Sequence, residues 1–153
     1  MKVTLREITA ENEQAVRALR TTTAQEKFVS TVADTLSEAE RSPNENPWLR
    51  AIYADEQVIG LVMVAWDFVP EPPHADGPYF LWKLIIDAQH QRKGYGREAM
   101  RQVIDLVRAD GAAEIITSYV EGEGNPFPFY ERLGFVSRGD LDPEGEIMLR
   151  LAL

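Results

Sequence analysis

Residues 81–100 read LWKLIIDAQHQRKGYGREAM, and the order of features in this stretch decides the reading of the chain. Residues 79–86 carry one charge, Lys83, in an otherwise apolar run and read as a buried strand. A polar loop follows. Gly94, Tyr95 and Gly96 then open a segment whose Ala99, Met100, Val103, Ile104 and Val107 recur at helical spacing. A helix start carries N–H groups without intrahelical partners and the positive end of the macrodipole. Gly94 and Gly96 lack Cβ, so a bulky anion can approach those groups, with Lys93 and Arg97 adding charge beside them. Two glycines ahead of a helix also suit a plain tight turn, so the spacing alone leaves both readings open. A dinucleotide fingerprint belongs after the first strand rather than two-thirds along the chain, and no Gly-Lys-Ser/Thr follows to make a Walker loop.

Outward from this stretch, strands and helices alternate. Residues 2–8 set Val3, Leu5 and Glu7 against their neighbours and predict a strand; Thr9 begins a helix whose buried stripe is Ala15, Val16 and Leu19. Short helices are expected over residues 25–32 and 36–41, the second entered through Asp34, then a loop over residues 42–47. Residues 48–53 and 58–68 read as strands joined by the turn Asp55, Glu56, Gln57, and Pro70, Pro72, Pro73, Gly77 and Pro78 form a stiff connection. Downstream, Asp110 and Gly111 end the amphipathic helix. A strand over 115–120, a helix over 126–133 and a strand pair, 135–138 with 146–151, complete the chain, with residues 142–145 as a hairpin turn. No repeat or linker interrupts it, so residues 1–153 are expected to form a single α+β domain around a mixed sheet.

Charge narrows the partners. The 153 residues hold 16 Lys and Arg against 25 Asp and Glu, a net charge of −9, which repels phosphate backbones and anionic headgroups. Neither nucleic acid nor a membrane surface is expected as a partner. Yet residues 83–108 are net +3, leaving −12 for the rest, and the tight cluster Arg92, Lys93 and Arg97 suits an anionic ligand. Arg101 and Arg108 flank Asp105 at helical spacing and read as surface pairs. The absence of cysteine excludes disulfides, thiolate nucleophiles and cysteine zinc sites and points to the cytosol. The start resembles no signal peptide, and the longest apolar stretch, residues 58–66, is far short of the ~18 needed for a span. His74 and His90 lie 16 apart, no serine sits in a G-x-S-x-G elbow, and Asp140, Asp142, Glu144 and Glu146 lack calcium-loop spacing; no metal site is expected.

The loop Gln91, Arg92, Lys93, Gly94, Tyr95, Gly96 resembles the Q/R-x-x-G-x-G/A loop of the GNAT superfamily of acyl-coenzyme A-dependent N-acyltransferases. A second block, NPFPFYERLGF at residues 125–135, resembles that family's N-x-x-A-x-x-F/L-Y-x-x-x-G-F block. On the Asp87 to Gln91 loop, the Phe129 and Tyr130 block and the turn between Gly139 and Gly145, the chain looks like the polyamine and diamine acetyltransferases. The resemblance implies a central, mostly antiparallel twisted sheet flanked by helices, with acetyl-coenzyme A held at a splayed pair of strands. It implies that residues 91–97 hold the pyrophosphate and that the backbone of residues 84–86 meets the pantetheine arm, Ile86 pairing with it and the Leu84 N–H facing the thioester carbonyl. Ile85 lies between them. It places Asn125, Phe129 and Tyr130 beside the sulfur, with Tyr130 as general acid, since a departing thiolate needs a donor of comparable pKa. Asn125 ahead of Pro126 also makes an ordinary helix start.

The implied reaction is direct transfer to an amine, the acceptor being a small cation such as a polyamine. A non-catalytic acyl-coenzyme A sensor, an aminoglycoside-like or protein amine acceptor, and a homodimer are the other readings carried forward. The chain departs from the family in its base. Many members place a carboxylate on the strand before the loop, whereas the two-residue period puts Phe80, Trp82, Leu84 and Ile86 on one face. Phe80 and Trp82 are therefore expected to line the acceptor site, and Glu26, Glu121 and Glu123 are the candidate bases and acceptor contacts.

Overall fold

The computed structural model describes residues 2–25, 28, 30–70 and 77–153. In chain order these form β1 (Val3–Arg6), α1 (Glu13–Arg17), α2 (Val32–Arg41), β2 (Pro47–Ala54), β3 (Gln57–Ala65), β4 (Phe80–Ile86), α3 (Tyr95–Ala109), β5 (Glu114–Tyr119), α4 (Phe127–Leu133), β6 (Val136–Leu141) and β7 (Ile147–Ala152). The strands make one sheet in the order β1-β2-β3-β4-β5-β7-β6. Every pairing is antiparallel except β4 with β5, which is parallel and in register at Phe80 opposite Ile116. The mixed, mostly antiparallel α+β sheet expected from the sequence is the one observed. Among the described residues no helix is long and apolar enough to cross a membrane.

The helical stripe is the one the period predicts: Ala99, Met100, Val103, Ile104 and Val107 are the buried residues of α3. They pack on the face bearing Val62, Val64, Leu81, Ile115 and Leu149. Each fully buried aliphatic side chain there contributes about 1.5–3 kcal/mol, so this helix fixes the loop before it on a rigid base. The opposite face is covered by Val16, Leu19 and Val32, which meet Ala51, Tyr53, Leu61 and Ile85.

Three local expectations are corrected. Helix α1 is five residues long and its Ala15 is exposed, because Asp87 captures the chain beyond it. The Arg20 N–H donates to Asp87 Oδ1 at 2.9 Å, and the Ala88 N–H to the Arg20 carbonyl at 2.7 Å. Helix α2 begins at Val32, not near Leu36, since Thr31 Oγ1 accepts from the Asp34 N–H at 3.1 Å and caps it. Of the helix expected over residues 25–32, Gln25 instead closes a short 3-10 turn.

A further correction bears on the site. A bulge in β4 sets Lys83 opposite Met63 and Leu81 opposite Val64, leaving Trp82 as the extra residue. The two-residue alternation therefore breaks at Trp82. Leu81, Leu84 and Ile86 face α3, whereas the Trp82 indole N–H reaches Glu38 of α2 at 2.6 Å on the opposite face. Phe80 and Trp82 do not share a face with Leu84 and Ile86. Strand β3 approaches β4 closely enough that a Cβ on Gly60 would lie 2.5 Å from the Ile85 carbonyl oxygen, so only glycine fits there.

Candidate active site

Beyond Phe80 and Ile116 strands β4 and β5 diverge, and a cleft of about 1690 Å³ occupies the opening. Thr117, 1 % exposed, stands at its root: its hydroxyl donates to the Leu81 carbonyl across the gap at 2.9 Å. That bond satisfies a carbonyl whose ladder partner is lost as the strands part.

On the α3 side, the loop of residues 87–94 is built by capping and left-handed turns. Asp87 accepts from the Gln89 N–H at 3.3 Å. Gln91 donates to the Ile86 carbonyl at 2.9 Å and exchanges amide hydrogen bonds with Gln25 at 2.7 and 3.1 Å. Gly94 has φ +83° and a Cβ built there meets nothing within 4 Å, so the approach to the first turn of α3 is open. Arg92, Tyr95, Gly96 and Arg97 line the cleft. Lys93 is exposed and lies outside its lining. Among the described residues Arg92 and Arg97 form no ion pair, whereas Arg101 binds Glu98 and Asp105 at 2.6 and 2.9 Å, and Arg108 binds Asp105 at 3.1 Å. Around α3, the guanidiniums without an ion pair among the described residues are thus at the helix start and the paired ones along the exposed helix face.

Helix α4 closes the same side. Tyr130 packs edge-on against Phe129 and Phe135, with ring centroids 5.5 and 5.6 Å apart. Burial pushes its phenol up to about 12, a rise opposed by hydrogen bonding with Thr117. Asn125 Oδ1 accepts from the Phe127 N–H at 2.9 Å, while its Nδ2 donates to the Gly122 carbonyl at 2.7 Å. Pro126, rather than Asn125, occupies the capping position, and the Asn125 side chain reaches past it. Leu84 and Ile86 line the cleft half-buried; Ile85 is 2 % exposed, its side chain in the core beneath α1 and its carbonyl turned toward β3.

On the other side of the sheet the lining turns acidic, with Glu38, Asp142, Glu144 and Glu146 beside Phe80, Trp82 and Lys83. Asp142 Oδ1 holds the hairpin turn by accepting from the N–H groups of Glu144 and Glu146 at 2.9 and 2.8 Å. Ser118 Oγ donates to Glu146 Oε1 at 3.3 Å. Burial, and to a lesser degree Asp142, raises the Glu146 carboxyl above its ordinary range. The sequence-based candidates are elsewhere: Glu121 and Glu123 are exposed and outside the cleft lining, in a turn where Gly122 and Gly124 have positive φ. Glu26 and His74 lie outside the described residues. Thr117, Ser118, Glu38 and Glu146 were missed as site residues. The one signal available for Glu146 is its spacing of two from Met148, which assigns it to the face of that residue.

Comparison with known proteins gives a consistent result. The model of the Acetyltransferase (GNAT) family matches residues 6–135. The spermine/spermidine N(1)-acetyltransferase of Bacillus subtilis (strain 168) is 23% identical over 147 residues, covering 95% of each chain. The crystal structure of PaiA N-acetyltransferase from Thermoplasma acidophilum in complex with coenzyme A aligns with a TM-score of 0.66 at 17% identity, covering 100% of both chains. Aminoglycoside acetyltransferase AAC(6')-Ib in complex with coenzyme A aligns with a TM-score of 0.74 at 17% identity, over 99% of this chain and 95% of that one.

Proposed function

This chain belongs to the acetyltransferase (GNAT) family, and on that premise we propose that it transfers the acetyl group of acetyl-coenzyme A to a primary amine of a small, polyamine-like cation. The observation that carries the reading is the charge separation within one cleft. Arg92 and Arg97, which form no ion pair among the described residues, flank the start of α3 on one side of the strand gap, and Glu38, Asp142, Glu144 and Glu146 outnumber Arg41 and Lys83 on the other. A diphosphate-bearing donor and a cationic acceptor each meet the opposite charge, and they approach from opposite faces. The likeness to a spermine/spermidine acetyltransferase supports the same acceptor class.

The residues present fit the donor. The open face at Gly94 and the N–H groups of the first turn of α3, which have no acceptor within the helix, suit its phosphates, with Arg92 and Arg97 beside them. The thioester supplies an activated acyl group. Leu84 would offer its N–H to the carbonyl oxygen, Ile86 would pair with the amide arm, and Tyr130 would protonate the sulfur as it departs. The chain has no cysteine to carry an acyl group, so the amine attacks directly. The test is release of free coenzyme A from acetyl-coenzyme A across a panel of spermidine, spermine, a monoamine, an aminoglycoside and a lysine peptide. Spermidine and spermine are expected to be the best acceptors. Strong preference for the aminoglycoside would replace the acceptor class, and tight donor binding without release for any amine would replace catalysis by sensing.

A further inference from the structure

Neighbouring residues of a strand project to opposite faces, and in β5 Thr117 and Ser118 do so at the mouth of the gap. Thr117 is opposite Leu149, which belongs to the apolar cluster against which α3 and Tyr130 of α4 pack. Ser118 is opposite Met148 on the α2 side and donates to Glu146 at 3.3 Å. Adjacent residues of one strand thereby face the Tyr130 side and the Glu146 side of a single opening. On the α2 side, β4 offers Phe80, Trp82 and Lys83 and no carboxylate.

Resting on the acetyl-transfer reading above, we propose that Glu146 receives the acceptor's ammonium and takes its proton, working from the face of the gap opposite Tyr130. A protonated amine has no lone pair with which to attack. Transfer of one proton to the Glu146 carboxylate frees the nitrogen, which forms a C–N bond with the thioester carbonyl carbon as the C–S bond breaks. The sulfur takes the Tyr130 proton. The nitrogen sheds a second proton once the C–N bond exists; it restores Tyr130 through water, and Glu146 returns its own to solvent. One net proton is released per turnover. The groups facing Glu146 suit this work: Asp142 and Glu144 from the hairpin turn strengthen its hold on a proton, whereas Ser118 of β5 and Lys83 of β4 weaken it. Acid and base on opposite faces also let the nucleophile enter on the side away from the leaving group.

The experiment is kcat/KM for spermidine against pH in the wild type and Glu146→Gln. Near pH 7 the variant is expected to lose about 10²-fold or more, the usual worth of a general base. The deficit should narrow as pH approaches ~10, where the free amine supplies its own lone pair, and stabilisation by acetyl-coenzyme A should be unchanged. A loss within about threefold of wild type, or a large loss that is the same at every pH, overturns the inference. Where Glu146→Gln does not fold, Ser118→Ala keeps the carboxylate but unfastens it. It should lose about fivefold, the worth of one hydrogen bond, with the same narrowing, and an unaltered profile overturns the inference. A wild type that releases no coenzyme A with any amine defeats the acetyl-transfer reading itself, which separates the two failures.

Discussion

Thr117 spans the opening between β4 and β5 by donating its hydroxyl proton to the Leu81 carbonyl, 2.9 Å away. The strands are registered one residue earlier, at Phe80 and Ile116, and part immediately beyond this bond. Thr117 therefore sets where the cleft begins.

Thr117→Val replaces the hydroxyl by a methyl group of similar size and leaves the Leu81 carbonyl without this partner. A buried unsatisfied acceptor costs about 1–3 kcal/mol, and urea denaturation is expected to show a loss of that size. Thr117→Ser should recover most of it. Equal stability of the valine variant and the wild type would mean that the carbonyl finds another partner.

Gly96 lies in the first turn of α3, where an added Cβ would stand 3.4 Å from Ile86 and 3.6 Å from Phe129. Those contacts are tolerable for one carbon, but the branches of valine fill the space above the helix start. Acetyl-coenzyme A at a hundredfold over its Kd stabilises a single-site protein by about 2.7 kcal/mol. Thermal unfolding should show this stabilisation in the wild type and its loss in a folded Gly96→Val. Equal stabilisation of both proteins would move the donor away from α3.

Tyr130→Phe keeps the packing on Phe129 and Phe135 and removes the proton. Turnover should fall by about 10²–10⁴-fold with donor binding intact. Burial raises the phenol to about 12, so its proton stays in place through neutral and mildly alkaline pH. Stopped-time assays at increasing pH should then show no alkaline decline from Tyr130 until pH nears that value. A decline centred near the ordinary tyrosine pKa of ~10 would contradict the buried setting.

Exposed Glu144 lines the acidic side of the cleft without holding the turn, which is the task of the Asp142 carboxylate. Glu144→Gln is expected to raise KM for spermidine more than for a monoamine. Added salt should raise KM for spermidine in the wild type, since screening acts over about 10 Å at 0.1 M. A salt-independent KM would remove the polyamine as the natural kind of acceptor.

The loop and helix of the site were legible because their information is local. The stripe from Ala99 to Val107 repeats at 3.6 residues, and Gly94 stands where a left-handed turn is needed. The face of β4 was not legible, since the bulge at Trp82 exists only relative to Met63 and Val64 of another strand. Glu146 was missed for a related reason. Its meeting with Ser118 depends on the register of β5 against β7, set by packing between segments about 30 residues apart. Glu121 and Glu123 looked closer in sequence to the reaction centre, but both are exposed and outside the cleft lining, in a turn built on left-handed glycines.

The most direct measurement of the central claim is the product balance of the wild-type protein given acetyl-coenzyme A and spermidine, followed by mass spectrometry. The account predicts one equivalent of free coenzyme A for each equivalent of mono-acetylated spermidine, with the acetyl group on nitrogen. Coenzyme A release without acetylated amine, or no release while acetyl-coenzyme A is bound, would contradict it.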